Sequence, residues 1–551
     1  MSSNSKSEWS FTVEKVKSIE ARAVRSPGLS ITKLMERASM AVFKEIERKF
    51  GGASELTIFC GTGNNAGDGY LVAAIAAANS VRVSVMEVGD VQKQSVEVAH
   101  ARSIAAKSAV KFFTPETELE IKEGVIIDAL IGTGLRSQMS ANFVEAIKTI
   151  NESKMPVVAI DLPSGLDGNT GDVPDFAVQA DLTVTFVALK RGMMTGKASA
   201  YCGEIVLASL EIPDSLRNIE TSDSKLLRLK YLLGHLPERS KLAHKYHFGH
   251  AMVVGGEFGF GGAAIMAAQA CMRTGAGLVS LCSRIEHIGS MLARQPEVMA
   301  HGVASGQELE PLLDAATVLI IGSGLGKSAW SEQLLQKSLR AGHPMVVDAD
   351  ALNLIADGCM KINFSELSWV ITPHSGEAAR LLGTSVQLVE KDRFSAIKAL
   401  QEKYSATVIL KGPGTLVVGD AAAGPRICPY GNASMATAGS GDVLAGIVGS
   451  LLAQGMPLQL SAELGCCIHS KAADLAVERF GQFGLTATDI LSCVRAILNS
   501  RLTDSVERLA SPEVKEVGWG KTLLYSIKLQ DLSSFSGKFT LLFPYLQIMS
   551  P

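Results

Sequence analysis

A chain of 551 residues with 47% hydrophobic content carries more apolar side chains than one small core can hold, and at roughly 100–200 residues per domain it calls for at least two domains. Its 52 basic and 55 acidic residues leave a formal net charge of −3. That balance supplies no general attraction for nucleic acid or an anionic membrane, so small-molecule chemistry is the class left standing.

Nine cysteines are scattered along the chain with no C-x-x-C pair, and Cys466 and Cys467 are adjacent, so neither a disulfide framework nor a zinc site is written here. A reducing cytoplasm fits that usage. The opening MSSNSKSEWS is polar and does not read as a signal peptide. The longest apolar stretches, such as Ile447 to Ala453, are broken by Gly and Ser and fall short of the roughly 20 residues a membrane span needs. A soluble cytoplasmic protein is expected.

From Leu56 onward, short apolar runs alternate with Gly-rich turns and Ala/Leu-rich segments. LTIFC, VRVSVMEV, VIIDALIG, VVAIDLPSG and LTVTFVAL are the strand candidates. Their continuous rather than alternating apolarity predicts strands buried on both faces, hence a doubly wound, mainly parallel three-layer α/β domain. The block CGTGNNAGDGY, residues 60–70, closes one strand and opens the helix YLVAAIAAA, a context in which glycines bring backbone N–H groups to a phosphate. A tight turn capped by Asn and Asp accounts for the block alone equally well. Asp128 and Asp161, however, each end a predicted strand beside GTG and PSG loops, where open α/β sheets place their ligand crevice. A carboxylate there can serve as general acid or base, or as a cation ligand.

The charged stretch from Arg217 to Lys241 shows no clear strand signal and holds the expected domain boundary. A second α/β series follows, with strands predicted at AMVVGG, GLVSLC, VLIIGSG, PMVVDAD, WVITP and TVILKG. PHSGEAARLL puts His374 and Glu377 at a strand-to-helix turn, where a cap is the ordinary role for a histidine. KGPGTLVV offers a Gly-rich turn with a lysine. NASMATAGSGDVLAGIVGSLLAQ sets Gly439, Ser440 and Gly441 before a long apolar helix with Asp442 in its first turn. Such glycines can form an anion hole and such an aspartate can polarise a hydroxyl, although a helix-dipole partner would look the same. His244, His247 and His250 lack a carboxylate or Cys partner and read as a solvated access loop rather than a zinc site. Beyond Asn499 the chain mixes charged and Ser-rich residues with the apolar run FTLLFPYLQI, which could be a strand, a partner segment or a disordered end.

NNAGDGY, DALIGTGL, DLPSGLDGNTG and TFVALKRGMMTGKA, in that order across residues 60–200, resemble the epimerase domain of NAD(P)H-hydrate repair enzymes, a Rossmann-like fold. The resemblance implies that Asn64, Asn65, Ala66, Gly67 and Asp68 bind the hydrated dinucleotide together with Gly132, Thr133, Gly134, Leu135, Arg136, Ser137 and Gln138. It further implies that Asp161 contacts the reacting ring as the catalytic residue, and that Asn65, Asp128 and Ser164 hold a potassium ion.

RTGAGLV, DADALNLI, PHSGEAARLLG, KGPGT and AGSGDVLAG resemble the dehydratase domain of the same family, which is ribokinase-like. Here the resemblance implies that Lys411, Gly412, Pro413, Gly414, Thr415 and Gly441 hold ADP or ATP, with magnesium. Ala263, Gly324, His374 and Asp442 would line the hydrate site, with Asp442 catalytic.

Together the two resemblances imply a bifunctional enzyme that interconverts the R and S forms of NADHX and NADPHX and dehydrates the S form at the expense of ADP, or of ATP. The expected division is an epimerase domain at 1–225, a linker at 226–240, a dehydratase domain at 241–498 and a tail at 499–551. A homo-oligomer with no nucleic-acid or membrane partner is expected. Two other readings remain open on the residues alone: a ribokinase-like small-molecule kinase with a regulatory N-terminal domain, and a chain whose N-terminal half is a binding scaffold.

Overall fold

The central strands of the first half are covered on both faces: every residue of Val125–Ala129, Val157–Ile160 and Leu182–Phe186 is buried, the threonines of LTVTF included. The computed structural model describes residues 9–117, 119–134, 139–360, 362–419, 423–499 and 515–517. The three strands named belong to an all-parallel sheet ordered Val110–Phe113, Arg82–Glu87, Glu55–Cys60, Val125–Ala129, Val157–Ile160, Leu182–Phe186, Glu204–Ala208, Lys515–Val517. The chain grows outward in one direction from Glu55–Cys60 and then in the other from Val125–Ala129. That reversal opens a crevice between their carboxyl ends.

Helices Ile31–Phe50, Asn64–Ala78 and Val96–Ala106 share one core through Val42, Tyr70 and Val98. Helix Ala141–Glu152 packs on a separate core through Ala146, Ile147 and Ile150. Two helical layers around one sheet give the three-layer, doubly wound domain that the strand pattern predicts.

The second sheet has a parallel centre ordered Met299–Gly302, Leu278–Ser283, His250–Val254, Val318–Ile321, Met345–Val347, Trp369–Ile371, Thr407–Leu410. Leu416–Val418 and Arg426–Ile427 then add antiparallel. Helices Gly261–Thr274, Ser440–Ala453 and Leu458–Phe480 supply Ala267, Ile447 and Ile468 to the core on one side. Helices Ala329–Arg340 and Arg393–Tyr404 supply Leu334 and Ile397 to the other.

This sheet does not stop at Ile427. It continues through Ser224–Leu226, Trp9–Phe11 and Leu189–Lys190, three short strands from the N-terminal half. Ser224–Leu226 lies in the stretch with no legible strand, because three residues are too few for a period and its partner, Arg426–Ile427, is about 200 residues away in sequence. Leu227, Leu229, Leu232 and Leu233 are buried in the same core as the Ser440–Ala453 helix.

His250 is a correction to the access-loop expectation: it is a buried strand residue whose ring bonds the Ala315 carbonyl at 2.7 Å and Ser280 Oγ at 2.8 Å. His244 and His247 stack on one another with ring centroids 3.7 Å apart. Among the described residues no helix is long and apolar enough to cross a membrane. Leu135, Arg136, Ser137, Gln138 and the FTLLFPYLQI run lie outside the described residues.

Candidate active sites

The crevice of the first sheet gathers the predicted residues from three loops. Helix Asn64–Ala78 begins where strand Glu55–Cys60 ends, so Asn65 enters the crevice from its first turn. Gly132 follows the next strand, and a Cβ there would sit 3.1 Å from Asn65 Oδ1 and 3.5 Å from Asp161 Oδ2. Any side chain there would crowd the Asn65 amide, so glycine keeps the approach of these two polar groups open. Asp161 adopts φ +67°, a left-handed conformation that aspartate tolerates better than branched residues do. Its Oδ1 is held by Lys190 Nζ, by Thr185 Oγ1 at 3.3 Å and by the Phe186 N–H at 3.3 Å. Lys190 is fully buried, and its ammonium also donates to Thr185 Oγ1 at 2.9 Å and the Phe186 carbonyl at 3.0 Å.

Two more carboxyls share this charge field. Burial, then the nearby Asp161, pushes Glu20 up to about 7. Half-buried Asp68 is raised by burial first and then by Asp161 and Glu20. Beside the cluster, a cleft of about 230 Å³ runs past Gly132, Thr133 and Gly134, with Lys17 donating to the Thr133 carbonyl at 3.0 Å.

The residues implied for potassium form a buried set of hard oxygens. Asp128 and Ser164 are fully buried, with Ser164 Oγ donating to Asp128 Oδ1 at 2.6 Å and the Ser164 and Leu130 N–H groups on the same carboxylate at 2.7 and 3.2 Å. Burial raises Asp128 to about 6 despite these donors. Asn65 is nearly buried, and its amide nitrogen has no partner. The Asp128 carboxylate and Ser164 hydroxyl, with the Asn65 amide oxygen at nearby Gly132, are hard oxygen donors of the kind an alkali cation takes.

In the second sheet, Asp348, Glu377, Lys411 and Asp442 converge from four different elements. Lys411 Nζ donates to Asp348 Oδ1 at 2.8 Å and lies 3.6 Å from Glu377 Oε2. Asp348 also accepts from Thr372 Oγ1 at 2.6 Å. A Cβ on Gly441 would lie 3.3 Å from Lys411 Nζ and 3.5 Å from Asp348 Oδ2, which brings the start of the Ser440–Ala453 helix against this pair. Burial draws Lys411 down, but Asp348 and Glu377 outweigh it and leave the amine above its ordinary value. Asp442 rises to about 7, chiefly through burial and then through Asp348.

His374 caps helix Ser375–Leu382: its Nδ1 accepts from the Gly376 N–H at 2.9 Å, while its own N–H donates to Glu377 Oε2 at 2.7 Å. Burial lowers its pKa against the opposing pull of Glu377. Gly324 sits against Ala263, with a Cβ there only 3.0 Å from that of Ala263.

Two family models match the chain, one for "NAD(P)H-hydrate dehydratase" over residues 251–495 and one for "YjeF-related protein N-terminus" over residues 31–192. The bifunctional NAD(P)H-hydrate repair enzyme Nnr of Coxiella burnetii is 43% identical over 88% of this chain and 98% of its own length. The chain belongs to the family of bifunctional NAD(P)H-hydrate repair enzymes. Members from Vibrio cholerae and Escherichia coli are each 38% identical, over 98% and 93% of their lengths.

The sequence points to Glu377 at its strand-to-helix turn without a role for it, and does not single out Glu20, Lys190 or Asp348, which lie in the same two clusters. Lys190 and Asp348 stand at strand ends inside conspicuous blocks, so a charge beside a strand terminus was the available signal. Glu20 lies on an ordinary amphipathic helix, Val13–Val24, and gave none. A larger cavity of about 670 Å³, lined by Arg239, Arg273 and Arg495, shares no residue with either cluster.

Proposed function

We propose that the N-terminal half epimerises the R and S forms of hydrated NADH and NADPH and that the C-terminal half dehydrates the S form using ADP or ATP. The observation that carries this reading is the occurrence, in one chain of this family, of two separate acid–base clusters at the carboxyl ends of parallel strands in two sheets: Asp161 paired with Lys190, and Asp348 paired with Lys411 in the charge field of Asp442.

In the first reaction, loss of the hydroxyl from the carbon beside the ring nitrogen leaves a planar cation, and return of water to either face exchanges the epimers. Asp161, fixed by Lys190 and Thr185, moves the proton to and from that hydroxyl. Asn64, Asn65, Ala66, Gly67, Asp68, Gly132, Thr133 and Gly134 hold the dinucleotide, and Leu135 to Gln138 complete this set. Asn65, Asp128 and Ser164 would hold potassium, whose charge stabilises the ionised Asp128.

In the second reaction, Asp442 takes the proton of the same hydroxyl as its oxygen attacks the terminal phosphorus of the nucleotide. The nucleoside phosphate leaves as AMP when ADP is the donor. The ring nitrogen's electron pair then expels inorganic phosphate, and loss of a proton from the adjacent carbon restores the reduced ring. Lys411 to Thr415 and Gly441 bind the nucleotide, while Ala263, Gly324 and His374 line the hydrate site. Magnesium would come with the nucleotide, carried mainly by phosphate oxygens and water.

Epimerisation falls to 1–225 and dehydration to 241–498, and the stretch expected as a linker, 226–240, packs Leu227, Leu229, Leu232 and Leu233 into the core of the second half. Nine free thiols accord with a reducing cytoplasm. Exposed Leu242, Tyr246, Phe258 and Phe260 supply apolar surface for a homo-oligomer.

The test is to incubate purified protein with mixed R and S NADHX, magnesium and either ADP or ATP while following the absorbance of reduced nicotinamide. Recovery of both epimers faster than spontaneous exchange supports the reading and identifies the donor. Absence of recovery with both nucleotides sinks it.

A further inference from the structure

The loop Lys411–Thr415 is tied down by residues of the other half of the protein. The Gly196 N–H donates to the Pro413 carbonyl at 3.1 Å. Thr195 Oγ1 donates to the Gly414 carbonyl at 2.8 Å, with the Pro413 carbonyl also 3.2 Å away. The same hydroxyl accepts from Nε of Arg393 at 3.2 Å, and Nη2 of Arg393 reaches the carbonyls of Leu410 and Lys411 at 3.1 Å each. Thr195 and Arg393 are both buried, so these bonds are shielded from water. The approach is close: a Cβ on Gly414, which has φ +57°, would fall 1.9 Å from the Met194 carbonyl oxygen.

These tethers bear on how the loop presents its amides. Peptide groups are planar, and none in the described chain is cis, so the carbonyl and N–H of each group point to opposite sides. Holding the carbonyls of Lys411, Pro413 and Gly414 against Arg393, Thr195 and Gly196 turns the N–H groups of Gly412, Gly414 and Thr415 the other way. Successive backbone N–H groups facing one side are what an anionic ligand requires. The tether also lies close in sequence to the first site, since Thr195 is five residues beyond Lys190, which grips Asp161.

We propose that Thr195 is a positioning residue for the dehydratase reaction, contributed by the epimerase half, which with Arg393 locks Lys411–Thr415 in the conformation that receives the nucleotide. This rests on the reading of that loop as the nucleotide site. The epimerase half is then a structural part of the dehydratase, and the fusion of the two has a mechanical consequence beyond sharing a substrate.

The experiment compares full-length wild type, Thr195→Val and Thr195→Ser by calorimetric titration with ADP and by steady-state dehydration of S-NADHX. Loss of the hydroxyl bonds in Thr195→Val is expected to raise both Kd and KM for ADP about 5- to 10-fold. Its kcat should stay within about twofold of wild type, and Thr195→Ser should restore ADP affinity. Epimerisation, measured on the same samples, should be unchanged and reports that the protein is folded. If valine does not fit the site, Thr195→Ala must show the same shift. Unaltered ADP affinity in the hydroxyl-less variant, or a defect that serine fails to restore, overturns the proposal. A wild-type protein that binds neither ADP nor ATP overturns the nucleotide assignment itself, a failure visible without any variant; if it binds ATP alone, the same comparison is made with ATP.

Discussion

At the residue scale, burial and charge set which carboxyls are poised for proton transfer. Asp442, raised to about 7 by burial and Asp348, acts as a base only when deprotonated. Dehydration kcat should therefore rise with pH through about 7 and level off above it, as read from a pH–rate profile at saturating nucleotide. A flat profile from pH 5.5 to 8.5 would exclude Asp442 as the base. Asp128 carries the opposite kind of consequence. Its folded value of about 6 exceeds the ordinary carboxylate value, so its favourable contribution is complete at low pH and is lost as pH rises through 6. That loss is on the order of 3 kcal/mol. A cation beside the ionised carboxylate offsets it. Potassium should raise Tm by about 2–4 °C at pH 8 over a tetramethylammonium control, with the gain vanishing near pH 5. An equal effect at both pH values would contradict the assignment.

At the scale of elements, helix Ser375–Leu382 shows one residue with two roles. His374 satisfies the first N–H groups of this helix and is also expected to line the hydrate site. Asparagine is as good a cap, so His374→Asn should keep the melting temperature within about 2 °C while raising KM for S-NADHX several-fold. An unchanged KM would reduce His374 to a cap. The elements differ in how legible they were. Parallel strands such as Val157–Ile160 announce themselves because burial on both faces leaves an uninterrupted apolar run. The loops after them are marked by glycine, as at Gly132 and Gly441. Met299–Gly302 is not legible in the sequence because this edge strand, MAHG, is short and partly polar. Lys190 and Asp348 escaped because a buried charge is recognisable only once its partner is known, and Asp161 and Lys411 lie 29 and 63 residues away.

At the scale of the whole molecule, the two halves share a sheet. Trp9–Phe11 is paired on one side with Ser224–Leu226 and on the other with Leu189–Lys190, and the buried hydroxyls of Ser10 and Ser224 lie 2.7 Å apart. No local pattern could foretell this, since the partners are dispersed over the first 427 residues. Truncating the buried ring of Phe11 should cost about 3–5 kcal/mol. Phe11→Ala should therefore lower the temperatures of half-inactivation of epimerase and dehydratase together; a shift in one alone would mean that the shared sheet does not couple them.

The central claim is that one chain houses two separable sites acting in sequence on one metabolite. The most direct test follows NADH recovery from mixed R and S NADHX with Asp161→Asn, with Asp442→Asn and with both variants combined. Asparagine tolerates the left-handed backbone at position 161 but leaves buried Lys190 without its counter-charge, so the melting temperature of each variant is measured alongside to show that it is folded. Asp161→Asn should recover the S portion quickly and the R portion only at the spontaneous rate, Asp442→Asn should recover neither, and the mixture should recover both because S-NADHX diffuses between proteins. Full recovery by Asp161→Asn alone, or none by the mixture, would contradict the account.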